Sequence, residues 1–134
     1  MTAKLFIVRG LPGSGKSTYA KNYIRARHVI NPLEPWKHFE ADMYHIDWGT
    51  GEYVFNPARL KAGHEWCHNQ TMINLQSGIN VIVTNTFVKK WEYEKYTSEW
   101  ENHEVLTLHD NYGSIHNVPM EKIEQMRTNF EHDE

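Results

Sequence analysis

A glycine-rich octapeptide, Gly10-Leu-Pro-Gly-Ser-Gly-Lys-Ser17, stands between the apolar run Leu5-Phe6-Ile7-Val8 and a segment whose apolar residues recur at helical spacing. It has the pattern Gly-x4-Gly-Lys-Ser, and no other stretch restricts the fold so tightly. A loop of this kind leaves a strand and opens a helix. Gly13 and Gly15 free the backbone to curl so that successive N–H groups point inward, and the new helix adds the positive end of its dipole. Such a cradle suits phosphate oxygens. The expected contacts come from Leu11, Pro12, Gly13, Ser14, Gly15, Lys16, Ser17 and Thr18. Lys16 reaches the β- and γ-phosphates of a nucleoside triphosphate, Ser17 offers its hydroxyl to Mg²⁺, and Thr18 contacts the α-phosphate. ATP and Mg²⁺ are therefore the expected cofactors.

The rest of the chain alternates strand and helix around this unit. Residues 4–9 read as a strand buried on both faces. A helix over 16–27 carries Tyr19, Ala20, Tyr23 and Ile24 on one side, and Asn31-Pro-Leu-Glu-Pro35 ends it. A short strand over 37–41 runs into Asp42. Residues 43–56 form a loop with Tyr44, Trp48, Tyr53 and Phe55, turning at Gly49-Thr-Gly51. Asn56-Pro57 starts a second helix, Asn at the N-cap and Pro at the first position, and Gly78 stops it after Ser77. Strands over 79–84 and 104–108 flank a helix over 89–101, and Pro119 opens a final helix to about residue 130.

This alternation implies an α/β three-layer sandwich, a four-stranded parallel sheet with helices on both faces and right-handed crossovers. Strand order 2-3-1-4 places the phosphate loop centrally. In such sheets the ligand lies beyond the carboxyl ends of the strands. That edge gathers the loop, Asp42, Asn85-Thr86 and His109-Asp110. Glu40, one strand period before Asp42, faces the same side as a second candidate.

Composition narrows the partners. The chain has 134 residues with 40% hydrophobic content, enough for one domain over 1–134 with a real core. Fourteen Lys+Arg against 17 Asp+Glu, net −3, argue against a grip on extended nucleic acid, though a short nucleic-acid end stays open. The single cysteine, Cys67, excludes an internal disulfide framework and suits a reducing compartment. No apolar stretch is long enough to span a bilayer, and Met1-Thr-Ala-Lys4 runs straight into the first strand, so the expected location is the cytoplasm, away from membranes.

Several further segments carry a resemblance over nearly the whole chain. They are Arg9-Gly-Leu-Pro-Gly-Ser-Gly-Lys-Ser-Thr18, Glu40-Ala-Asp42-Met-Tyr44, Gly51-Glu-Tyr-Val-Phe-Asn-Pro57, His64-Glu-Trp-Cys67, Val81-Ile-Val-Thr-Asn-Thr86 and His116-Asn-Val-Pro119. Together they resemble the small AAA_33-like P-loop kinases related to the kinase half of phage polynucleotide kinase, to zeta toxins and to short ATP-binding proteins of phages and bacteria. The resemblance implies transfer of the γ-phosphoryl group of Mg-ATP to a hydroxyl or phosphate acceptor: a nucleoside, a nucleotide, a nucleotide sugar or a nucleic-acid 5′ end. It puts Asp42 in the position of the base toward the acceptor, also able to reach Mg²⁺ through water. Tyr44, His64, Asn85, Thr86 and His116 fall on the acceptor or lid side.

The chain also departs from that pattern. Asp42-Met43 stands where relatives often have two aspartates, and Asn85-Thr86 where polynucleotide kinases commonly have Asp-Thr. Relatives carry arginines on the segment before the last helix, and an arginine so placed is worth about 10³–10⁵ in rate. No arginine occurs here between Arg59 and Arg127, and residues 111–118 form a short segment. The replacement charge must come from His109, His116, Arg9, Arg59, Lys89 or Arg127, or from a partner. A second reading follows, an ATP-binding module with weak hydrolysis and no efficient transfer. A third rests on His64-Glu65-Trp66-Cys67-His68, a literal His-Glu-x-x-His that would hold zinc in a hydrolase. The aromatic loop divides between stacking on a flat acceptor and packing on the second helix. The end, Glu131-His-Asp-Glu134, reads as a solvated tail.

Overall fold

The computed structural model describes residues 2–46, 49–109 and 120–132. Among these, four strands form one parallel sheet: β1 (Leu5–Gly10), β2 (Trp36–Phe39), β3 (Asn80–Asn85) and β4 (His103–Leu108). Their order is β2-β3-β1-β4, the arrangement the sequence implied. Four helices, α1 (Lys16–Ile30), α2 (Leu60–Gln76), α3 (Lys90–Thr97) and α4 (Met120–Asn129), complete the three-layer sandwich with helices on both faces. Asp47, Trp48, Asp110, His116 and Pro119 lie outside the described residues.

β1 explains the two layers. All six of its residues are buried, and alternate side chains enter different cores. Leu5 and Ile7 join Val81 and Val83 of β3, Cys67 and Leu75 of α2, Phe87, and Tyr96 of α3. Phe6 and Val8 join Ile82, Trp36 and Ala20 of α1, with Tyr19, Tyr23 and Ile24 against them. Tyr19, Ala20, Tyr23 and Ile24 thus form the buried side of α1 that their spacing implied. Register is set by the pairs Leu5 with Val81 and Leu5 with His103, so the strands end together and align the loops that follow.

Some boundaries differ from the sequence reading, for local reasons. β2 stops at Phe39, and a short 3₁₀ helix over Ala41–His45 follows, because Asn85 Oδ1 accepts the Ala41 N–H at 2.8 Å and turns the chain. Pro57–Arg59 is a 3₁₀ turn before α2, capped by Asn56, whose Oδ1 accepts the Ala58 N–H at 3.0 Å. Gly78, at φ +84°, closes α2 in the left-handed region as expected. α3 ends at Thr97 rather than near 101, since the Trp100 indole donates to the Ala3 carbonyl at 2.7 Å and draws the chain back to the start of β1. α1 runs on to Ile30, leaving Val29 and Ile30 exposed on its last turn.

Candidate nucleotide and metal site

The phosphate loop begins where β1 ends. Gly10 has no room for a side chain: a Cβ there would lie 2.5 Å from Ser14 Oγ and 2.9 Å from the Leu108 carbonyl oxygen. Gly13 and Gly15 adopt φ of 83° and 89°, the left-handed conformation that curls the loop. Lys16 opens α1, and its Nζ donates to the carbonyls of Gly10 at 2.9 Å and Leu11 at 3.1 Å. Burial lowers its pKa to about 8, against the opposing pull of Glu40 and then Asp42. The Ser14 hydroxyl is buried with no hydrogen-bond partner among the described residues. A desolvated ammonium and an orphaned hydroxyl in one loop, at the mouth of a helix, fit a phosphate group.

Next to the loop lies a hydrogen-bonded chain. Ser17 Oγ donates to Glu40 Oε2 at 2.7 Å, and Thr84 Oγ1 donates to the same oxygen at 3.0 Å. His38 Nε2 lies 2.6 Å from Thr84 Oγ1. Because the Thr84 proton is committed to Glu40, the hydrogen of His38 sits on Nε2. Burial holds the His38 imidazole below its ordinary pKa, Glu40 opposing, which suits the neutral ring. One carboxylate and one hydroxyl oxygen therefore stand together at the start of α1. Such hard oxygen donors suit Mg²⁺.

Asp42 sits a turn further on, in the 3₁₀ helix, and its Oδ1 accepts from the Tyr53 hydroxyl at 3.2 Å. Burial and that carboxylate push the Tyr53 hydroxyl up to about 12. The Arg59 guanidinium lies 4.6 Å from the centroid of the Tyr44 ring and donates to its hydroxyl at 2.7 Å. The aromatic loop folds back on itself: Ile46 bridges Tyr53, and the Tyr53 and Phe55 rings stack with centroids 6.4 Å apart. Tyr44 also touches Trp66 of α2. The loop thus packs partly on α2 while Tyr53, Val54 and Phe55 keep exposed surface.

The other sequence candidates divide. Thr18 is exposed at the start of α1. Asn85 is buried and committed, holding the Ala41 N–H and donating to Cys67 Sγ at 3.7 Å. The Thr86 carbonyl accepts the Gly10 N–H at 3.3 Å. His64 is exposed on α2, and one turn later His68 pairs with Glu99 at 2.9 Å and packs its ring against Tyr96. Among the described residues no group of three His, Cys, Asp or Glu side chains gathers to hold a metal. Arg9 is wholly buried: its guanidinium donates to the carbonyls of Phe87, at 2.6 and 3.1 Å, and of Val88 at 3.3 Å, and lies over the rings of Tyr93 and Phe130.

Two features escaped the sequence reading. The His38–Thr84 support of Glu40 was signalled only by the period of two that puts His38 and Glu40 on one side of the β2 end. The second is a cavity of about 200 Å³ beside the loop, lined by Leu11, Pro12, Leu108, His109, Ile123, Arg127, Phe130 and His132. Its far wall comes from α4 and the segment after it, which no local pattern announces.

A parallel sheet whose central strand feeds a glycine-rich loop and a helix that opens with Lys16-Ser17 defines a P-loop nucleotide-binding domain. Residues 5–110 match the family model AAA_33, described as an AAA domain, and the chain belongs to that family. Over 141 aligned residues it is 29% identical to NEDD4-binding protein 2 of Homo sapiens, covering 95% of this chain and 8% of that protein, so the chain spans only a small part of this relative. Among solved structures it is similar to Chaetomium thermophilum Kti12 in complex with ADP-AlF3 (TM-score 0.69, 15% identity, 97% of this chain and 81% of that one). It is also similar to a gluconokinase from Sinorhizobium meliloti 1021 (TM-score 0.63, 18% identity, 98% and 77%). At these identities the likeness is one of fold, a fold shared with kinases. Among the described residues no helix is long and apolar enough to cross a membrane.

Proposed function

We propose that this chain is an ATP-dependent phosphotransferase that moves the γ-phosphoryl group of Mg-ATP to a hydroxyl or phosphate acceptor. The observation that carries the reading is Lys16: a largely desolvated ammonium, held by two loop carbonyls, in the loop that also carries the unpartnered Ser14 hydroxyl. Residues 11–18 line the phosphates, with N–H groups from residues 13–18, Lys16 neutralises the β- and γ-phosphates, and the cavity between Pro12 and Phe130 takes the base. The Ser17 hydroxyl would help hold Mg²⁺, which when bound would supply charge neutralisation to the phosphates. Asp42 lies on the acceptor side and orients the acceptor, with Tyr44, Tyr53 and Arg59 around it. A loose transition state asks more of positioning than of proton removal. The narrower likeness to polynucleotide kinases puts a nucleic-acid 5′ end among the acceptors, beside nucleosides and nucleotides.

One observation favours the second reading, an ATP-binding module with weak hydrolysis. Arg9, a candidate for the missing charge, is engaged under Phe87 and Val88. Arg127, which lines the cavity, and Arg59, which donates to the Tyr44 hydroxyl, remain as candidates for that charge. The deciding experiment is γ-labelled ATP with Mg²⁺ against nucleosides, nucleotides, sugars and DNA and RNA 5′-hydroxyl ends, with a lane lacking acceptor. Label should enter one acceptor class, and Asp42→Asn should slow that transfer by about 10²–10⁴ while keeping ATP bound. Slow phosphate release with no labelled acceptor overturns the kinase in favour of the module.

A further inference from the structure

We infer that Glu40, held in place by Thr84 and His38, supplies the carboxylate that faces Mg²⁺ in this site. The inference deepens the proposed function and rests on it. β3, where a P-loop site most often finds its acidic residue, ends in Thr84-Asn85 and offers no carboxylate. Asn85 cannot take over, since its oxygen caps Ala41 and its amide nitrogen reaches Cys67. The charge must come from a neighbouring strand.

β2 lies beside β3, and the chain leaving it brings Glu40 to the serine of the loop. Ser17 Oγ and Glu40 Oε2 are 2.7 Å apart. Two adjacent oxygens on one octahedral Mg²⁺, each about 2.0–2.1 Å from the ion, are separated by about 2.9 Å. The pair therefore already stands at close to the spacing that a shared ion requires. Only the Ser17 proton need turn away. Asp42 Oδ1 accepts from the Tyr53 hydroxyl at 3.2 Å.

The support behind Glu40 is that of a ligand held before the ion arrives. Thr84 donates to the same oxygen that Ser17 does, and His38 stands behind Thr84. Both rest on adjacent parallel strands, whose register joins His38 to Ile82 and so brings Thr84 level with Glu40. Thr84 and His38 are positioning residues in this arrangement. Glu40 keeps partial exposure, as a group that must meet a solvated ion does.

Calorimetric titration with ATP, once with Mg²⁺ and once with EDTA, separates the two carboxylates. In the parent Mg²⁺ should tighten ATP binding. Glu40→Gln keeps the hydrogen bonds and removes the charge, so the magnesium gain should shrink by at least about tenfold while metal-free affinity is retained. Asp42→Asn should keep the full gain. Mn²⁺ bound with ADP, read by electron paramagnetic resonance, should weaken in Glu40→Gln alone. A Glu40→Gln protein with the parental magnesium gain overturns the inference, as does loss of the gain in Asp42→Asn. Should Glu40→Gln not fold, Thr84→Val carries the test: it should lose part of the gain and Thr84→Ser should restore it, and an unchanged gain in Thr84→Val overturns the inference. A parent that binds no ATP in either condition removes the proposed function and the inference together. A parent that binds Mg-ATP beside an unaffected Glu40→Gln removes the inference alone.

Discussion

The ammonium of Lys16 is the most sharply testable feature of the site. Its pKa falls from 10.5 to about 8 because burial takes away water that two carbonyls and two carboxylates do not fully replace. Triphosphate oxygens restore the balance, so the bound form's pKa rises well back toward the ordinary lysine value. ATP binding above pH 8 must then take up a proton. By linkage, affinity falls toward tenfold per pH unit, making ATP about 25-fold weaker at pH 9.5 than at 7.5. At pH 8.5 binding should take up about three quarters of a proton. The terminal phosphate of the nucleotide titrates near pH 6 and has finished by then. Calorimetry in buffers of different ionisation enthalpy measures both quantities, and Lys16→Met should bind weakly with no slope. Free-protein stability moves in the opposite direction. Between pH 8 and 10.5 the unfolded chain holds more protons at this site than the folded one, so stability should rise with pH, and in Lys16→Met that rise should vanish. A parent whose ATP affinity is flat from pH 7.5 to 9.5, with no proton uptake, refutes the desolvated ammonium.

Two further outcomes follow from packing. Gly10→Ala drives a Cβ against the Leu108 carbonyl, which backbone pairing of β1 with β4 prevents from yielding; urea denaturation should show a loss of about 1–3 kcal/mol, and thermal stabilisation by Mg-ATP should disappear. Unchanged stability there would mean that the loop does not close on β4 as described. Arg9→Met leaves the Phe87 and Val88 carbonyls without their donor and should cost about 2–4 kcal/mol in the same measurement, whereas a loss within experimental error would remove its bracing role.

The sheet was legible because its signals are local: a buried run, a breaker, a cap, a stop. The phosphate loop was legible for the same reason. The acceptor side was not. Strand alternation makes Glu40 and Asp42 equivalent, and it is Asn85, far along the chain, that turns the backbone at Ala41 and sends the two carboxylates to different neighbours. Arg9 looked like a free cation because the rings that sandwich it, Tyr93 and Phe130, belong to α3 and to the segment after α4. The short α3 likewise depends on a bond from Trp100 to Ala3. Each miss is a contact between residues distant in sequence.

The place of β1 in the middle of the sheet has a consequence for how the chain comes into being. The nucleotide loop leaves a ribosome well before the strands that flank it, yet Gly10 leans on Thr86 and Leu108, and β1 pairs with β3 and β4. Until residue 108 has emerged, Leu5-Phe6-Ile7-Val8 remains an apolar strand with an open edge, the kind that pairs with other chains. Nascent chains should therefore acquire ATP binding abruptly, once residue 108 is out, and until then need shelter for residues 5–10. The strand that carries the loop is, during synthesis, an aggregation hazard.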